Sequence, residues 1–126
     1  MTPVLLVCHG ELAQGLISAV SQIMGPQPEL QGLSNRGLSP ELLQQKIREW
    51  LSPRSEHAVL LVDFPGSSCY RAAMRAVRAS GQQATVVSGV NLGMLLSFLS
   101  KRGELAPENF GETLVNDGSR GLLADG

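Results

Sequence analysis

At 126 residues the chain has the size of one domain, large enough to bury a single core and too short for two, so one domain over residues 1–126 is expected. Hydrophobic residues make up 43% and charged residues 17%, which excludes a disordered or fibrous chain. Ten Lys+Arg against eleven Asp+Glu leave a formal charge of −1, so no basic field is present to hold nucleic acid or an anionic membrane.

Residues 3–8 (PVLLVC) are a continuous apolar run with β-branched Val4 and Val7, the pattern of a strand buried on both faces. From Glu11 onward Leu12, Leu16, Ala19, Val20 and Ile23 recur at helical spacing until Gly25-Pro26 stops them. His9-Gly10 is therefore a strand-to-helix turn. The stretch GPQPELQGLSNRG (25–37) is rich in turn residues and holds at most one short strand, around Glu29 to Leu33. Ser39 reads as an N-cap with Pro40 at the first helical position. Leu42, Leu43, Ile47, Trp50 and Leu51 then form an apolar stripe that ends at Pro53.

Residues 57–63 (HAVLLVD) repeat the signature of the first strand, and a glycine loop, FPGSSC, follows. The spacing predicts a helix from about Ser68 to Ser80, with Tyr70, Ala73, Met74 and Val77 on one face and Gly81 as its stop. A further apolar strand, Ala84 to Ser88, leads through Gly89-Val90-Asn91 into a helix from Leu92 to Lys101, closed by Gly103. Strands alternating with helices imply an α/β fold: a mainly parallel, doubly wound sheet covered by helices on both faces. Ligands of such sheets bind at the carboxyl ends of the strands. His9, Asp63 with its PGSS loop, and Ser88 to Asn91 all fall there.

A carboxylate beside a histidine accepts the Nδ1 proton, fixes the tautomer and leaves Nε2 as a nucleophile. Asp63 is placed to do this for His9. A phosphoryl group carried on Nε2 needs preorganised donors, and Gly66-Ser67-Ser68 at a helix N-terminus offers backbone N–H groups, the helix dipole and a hydroxyl. Each residue also has a plainer reading: a packed histidine, a turn aspartate, an N-cap serine. Their meeting at equivalent strand ends gives the functional reading its weight.

The remaining candidates read as structural. Cys8 and Cys69 form no close motif, and a reduced pair of packing thiols is expected in a cytoplasmic protein with neither a signal peptide nor an apolar span of about 18 residues. Adjacent strand residues point to opposite faces, which argues against a catalytic or metal-binding Cys8–His9 pair. His57 opens a strand at the end of the sheet opposite His9 and reads as a surface residue. Arg71, Arg75 and Arg78 form a basic stripe, either a solvated face or a partner-docking patch.

VLLVCHGELAQGL, VLLVDFPGSSCYRAAM and VSGVNLGMLLSFL, in that order over residues 1 to about 100, resemble the EIIA component of the mannose family of the phosphoenolpyruvate-dependent sugar phosphotransferase system. The resemblance implies that His9 accepts a phosphoryl group from the phosphocarrier HPr and passes it to an EIIB component, or serves as a regulatory phosphoprotein. It further implies that Asp63 orients the imidazole and that Ser68, with Gly66 and Ser67, holds the phosphate. No metal or organic cofactor is implied. The family is usually homodimeric with a C-terminal strand exchanged between subunits, and residues 112–124 (ETLVNDGSRGLLA) are the candidate segment. No direct membrane insertion is expected.

The loop departs from the family pattern Gly-Gly-Ser-Pro, since Ser67 stands at the second glycine and Cys69 at the proline. If the backbone needs positive φ there, Ser67 is strained. Gly93 also replaces a usual proline, and Cys8 and Phe64 stand where Thr or Ser is common. Two other families begin similarly: the histidine phosphatases, whose arginine position is held by Cys8 and whose second site histidine His57 is misplaced to supply, and the tetrapyrrole chelatases, to which Asp63-PGSS is foreign. A signalling module that binds a partner through the same rim without turnover is the non-enzymatic alternative.

Overall fold

The computed structural model describes residues 1–126. The apolar runs become four parallel strands: β1 (Val4–Cys8), β2 (Leu30–Ser34), β3 (Ala58–Val62) and β4 (Ala84–Ser88). Helices α1 (Leu12–Met24), α2 (Pro40–Leu51), α3 (Ser68–Ser80) and α4 (Leu92–Lys101) follow them one by one, and α5 (Phe110–Ser119) ends the regular structure. This is the expected α/β arrangement.

Strand order is β2-β1-β3-β4. The chain leaves β1 for one edge and returns to pair β3 on its other side, so the order reverses between β1 and β3. A crevice opens at such a reversal, outside the carboxyl ends of the two strands. His9 and Asp63 are the residues that immediately follow those strands.

Alternation along the central strands divides the core. Val4, Leu6, Cys8, Val59 and Leu61 pack with Leu95, Phe98, Phe110 and Leu114 under α1, α4 and α5. Leu5, Val7, Leu60 and Val62 pack with Leu43, Ile47, Cys69 and Ala73 under α2 and α3. Cys8 therefore belongs to the first face, and the pleat directs the next residue, His9, toward α3. Ser39 caps α2 through Leu42 N at 3.1 Å, and Pro40 opens that helix, both as read from the sequence.

Three expectations are corrected. Residues 112–124 are not a strand: Phe110, Leu114, Asp117 and Gly118 are buried along one face, the i, i+4, i+7, i+8 spacing of a helix, and α5 packs on α4. Strand β2 begins at Leu30 rather than Glu29, because Glu29 takes φ +62, a left-handed conformation that cannot continue a strand. His57 is half-buried rather than on the surface; its Nε2 lies 2.8 Å from Thr85 Oγ1 and its ring meets the Phe110 ring edge-on at 5.5 Å.

Candidate functional site

The site is built on two strand ends and one helix start. At the end of β1 the His9 backbone N–H donates to Asp63 Oδ2 at 2.9 Å, and His9 Nδ1 lies 2.6 Å from the same oxygen. An ionised carboxylate only accepts, so Nδ1 carries the proton and Nε2 keeps its lone pair. The other carboxylate oxygen, Oδ1, accepts from Phe64 N at 3.1 Å. Asp63 is thus held at both oxygens, with 9% of its side chain exposed against 38% for His9. Burial raises the Asp63 carboxyl, but the two N–H groups of His9 and the charge that its ring can carry outweigh burial and hold the carboxyl below its ordinary value.

Helix α3 supplies the third side. Gly66 takes φ +76, which glycine adopts without strain, and the chain then turns into the helix. Ser67 has φ −74 and ψ 170, an ordinary extended N-cap conformation, so the strain expected of a serine at this position is absent. Its hydroxyl accepts from Tyr70 N at 3.2 Å and donates to Phe64 O at 2.8 Å. Because Ser67 Oγ is committed to the loop, the free hydroxyl of the pair is that of Ser68, whose Oγ lies 3.3 Å from His9 Nε2. His9, Asp63 and Ser68 come together, and Gly66 and Ser67 shape the turn beneath them. Ser88 to Asn91 contribute differently: Asn91 caps α4 through Met94 N and donates to Gly118 O, which fixes α4 and α5.

Two residues touch His9 that the sequence names as departures from the family loop rather than as site residues. Phe64 stacks on the imidazole with ring centroids 5.5 Å apart and planes 27° from parallel. Cys69 Sγ lies 3.6 Å from His9 Nδ1. Cys69 is one residue past the Ser68 hydroxyl on a helix start, and that proximity to the loop was the available signal. Burial pushes the Cys69 thiol up to about 11 and Cys8 to about 12, so both stay protonated packing groups near neutral pH.

A ring nitrogen of His9, a carboxylate oxygen of Asp63 and Cys69 Sγ lie within 4.8 Å of one another, close enough to raise the question of a metal. Two N/O ligands of one tetrahedral ion with bonds of ~2.0–2.1 Å stand roughly 3.3 Å apart. The nitrogen and oxygen here are 2.6 Å apart, the distance of a shared proton, and the thiol is protonated. The trio fits a hydrogen-bonded histidine rather than a metal cradle. The larger clefts of the molecule lie between α2 and α3 and along β2, and His9, Asp63 and Ser68 line neither.

A family model described as the PTS system fructose IIA component (EIIA-man) matches residues 3–115 of this frame. The chain belongs to that EIIA family. A relative, the PTS system fructose-specific EIIA component of Bacillus subtilis (strain 168), is 31% identical over 109 residues, covering 84% of this chain and 74% of its own. The phosphotransferase system component EIIA from Streptococcus agalactiae shares the fold with a TM-score of 0.91 at 19% identity, over 98% of this chain and 97% of that one. The mannose/sorbose-specific IIA subunit from Enterococcus faecalis does so with a TM-score of 0.84 at 20% identity, over 100% and 96%. Membership makes the chain a phosphotransferase-system component of the EIIA type. No helix is long and apolar enough to cross a membrane.

Proposed function

We propose that the chain is a phosphoryl carrier in which His9 Nε2 accepts the group from HPr and yields it to an EIIB component. The observation that carries this reading is the pairing of His9 Nδ1 with Asp63 at 2.6 Å while Nε2 faces Ser68 Oγ at the head of α3. The Nε2 lone pair attacks phosphorus, the donor's P–N bond breaks, and its electron pair returns to the donor imidazole. Nδ1 keeps its proton throughout, and Asp63 offsets the positive charge that the ring gains. The Ser68 hydroxyl and the N–H groups at the start of α3 then meet the phosphoryl oxygens.

Transfer between two histidines exchanges similar bonds, so catalysis reduces to positioning and anion stabilisation. An open rim with His9 38% exposed suits a group delivered on the surface of another protein, whereas a small substrate is usually enclosed. A homodimer forms part of the proposal. Strand β4 is an edge of the sheet, and Leu122 and Leu123 stand 81% and 86% exposed beyond α5, available to a second copy.

The test is incubation with phosphoenolpyruvate, Enzyme I and HPr. One acid-labile, base-stable phosphate per chain is expected, absent from His9→Ala. Label that survives in His9→Ala assigns the chemistry to another residue.

A further inference from the structure

Arg36 sits in a turn after β2 that is stitched to the turn carrying His9. Gly10 N donates to Asn35 Oδ1 at 3.2 Å; Ser34 Oγ donates to Gly10 O at 2.6 Å and accepts from Arg36 N at 3.0 Å. Gly10 takes φ +60, and Arg36 Nη2 lies 3.5 Å from the point where a Cβ on Gly10 would stand. The guanidinium therefore lies over the His9-Gly10 turn. Arg36 is exposed, and its side chain makes no ion pair, with Glu11 of the neighbouring turn or with any other carboxylate.

Charge balance gives that free guanidinium a task. A phosphoryl group on Nε2 brings about 1.5 to 2 negative charges near neutral pH, against roughly half a positive charge from the α3 N-terminus. Asp63 adds a negative charge that His9 already occupies. Arg71, on the opposite side of the loop, spends Nη1 on Gly66 O at 2.9 Å. Arg36 is the neighbouring cation whose donors are all unspent, and a guanidinium matches two phosphoryl oxygens in a fork.

We propose that Arg36 is a phosphoryl-binding residue, closing the anion site from the β2 side when His9 is phosphorylated. The inference rests on the phosphohistidine reading above and adds to it a residue outside the histidine, aspartate and loop. It concerns the phosphorylated state: the guanidinium, held near by the Ser34–Gly10–Asn35 stitching, rotates onto oxygens that the unphosphorylated site lacks.

Phosphoramidate is a small donor that tests this without HPr. Nε2 forms the new N–P bond, the donor P–N bond breaks, and the phosphoramidate nitrogen, protonated as –NH3+ before transfer, leaves with the bond's electron pair as ammonia. Arg36→Ala should label at His9 about tenfold more slowly than the wild type, the loss of one charge-assisted contact, while Arg36→Lys recovers part of the rate as a point charge. Arg75→Ala removes an equal charge from the exposed face of α3 and should stay within about twofold, since a charge remote from the phosphoryl group is screened. The Arg36 side-chain N–H resonance should shift on phosphorylation of the wild type. A wild-type labelling rate in Arg36→Ala, or an equal loss in Arg75→Ala, overturns the inference and leaves the phosphohistidine reading standing. Failure of wild-type His9 to take label overturns both.

Discussion

Asp63 Oδ2 accepts two hydrogen bonds from one residue, His9 N at 2.9 Å and His9 Nδ1 at 2.6 Å. A single oxygen thus fixes both the backbone at the end of β1 and the tautomer of the ring above it. The bond to the backbone joins the strands on either side of the crevice, so the carboxylate is a structural tie as well as a partner of the imidazole.

The dual role separates the effects of Asp63→Asn. An amide oxygen still accepts from one N–H but cannot offset a cationic ring, so phosphorylation of His9 should slow by roughly ten- to a hundredfold, the worth of a charge-assisted hydrogen bond. The stability effect has a defined sign with pH. The folded-state carboxyl lies below its ordinary value of 3.8, so the stability it contributes is complete above the unfolded value and is lost as pH falls through the folded one. The stability gap between wild type and Asp63→Asn that is due to the carboxylate should be present at neutral pH and should narrow as pH falls below ~4 through the folded-state value. Chemical denaturation at pH 7 and across the range below pH ~4 measures it, and a gap that fails to narrow at any pH below ~4 contradicts the pairing.

Ser67 yields a prediction opposite to the one that glycine loops of this family suggest. At φ −74 there is no strain for glycine to relieve, so Ser67→Gly should leave phosphoryl acceptance unchanged or slower. Ser67→Ala removes the cap to Tyr70 N and the bond to Phe64 O, and should cost about 1 kcal/mol, with glycine costing less. Urea denaturation of the three proteins, with labelling rates alongside, checks both statements. Faster labelling in Ser67→Gly would restore the strained-loop view.

Most of the frame was legible because the two central strands are five-residue runs buried on both faces and each of the first four helices carries a stop or a cap that its sequence announces. Ser68 and Ser80 bound α3 as read, since an N-cap serine precedes one and a left-handed Gly81 follows the other. Helix α5 escaped because Gly111 and Gly118 lie inside it, residues of poor helix propensity; packing decided instead, as Gly118 lets α5 approach Met94 closely. The sheet ends that hold His9, Asp63 and Ser68 could be read from order alone. Contacts made across the chain, Phe64 on the ring and Arg36 over Gly10, carry no local spacing signal.

Arg102 is a lesson in what a short sequence window conceals. It is 3% exposed, at the end of the sheet away from His9, where Nη1 donates to Thr2 O at 3.0 Å and Nη2 to Pro28 O at 2.7 Å. One side chain therefore ties the start of β1 to the loop before β2. Burial lowers its pKa, so the charge is retained at a cost that these carbonyls offset. Arg102→Ala should destabilise the fold by about 2–3 kcal/mol through two orphaned carbonyls and lost packing. Amide hydrogen exchange should show the loss concentrated at residues 2–5 and 28–31, and uniform loss across the sheet would argue against the local tie.

Asp117 holds α5 in the place where a strand was expected. Its carboxylate, 6% exposed, lies 2.6 Å from Lys101 Nζ and 3.1 Å from Arg120 Nη1, and accepts from Ser97 Oγ at 2.5 Å, so two of its three partners lie on α4. The Lys101 and Ser97 hydrogen bonds lead the causes that keep its carboxyl below the ordinary value, against the opposing effect of burial. Asn can keep one acceptor contact but not the charge, and Arg120 is 77% exposed and adds little. Asp117→Asn should therefore cost about 1–2 kcal/mol at pH 7, mostly through Lys101. Because the folded-state pKa is depressed, that cost is present above the unfolded value of 3.8 and vanishes only as pH falls below it through the folded one, so mutant and wild type should converge on the acid side of 3.8. Thermal denaturation from pH 7 down through the acid range decides the point: a gap that never narrows below pH ~3.8 would mean that the shape of the side chain, and not its charge, docks α5 on α4.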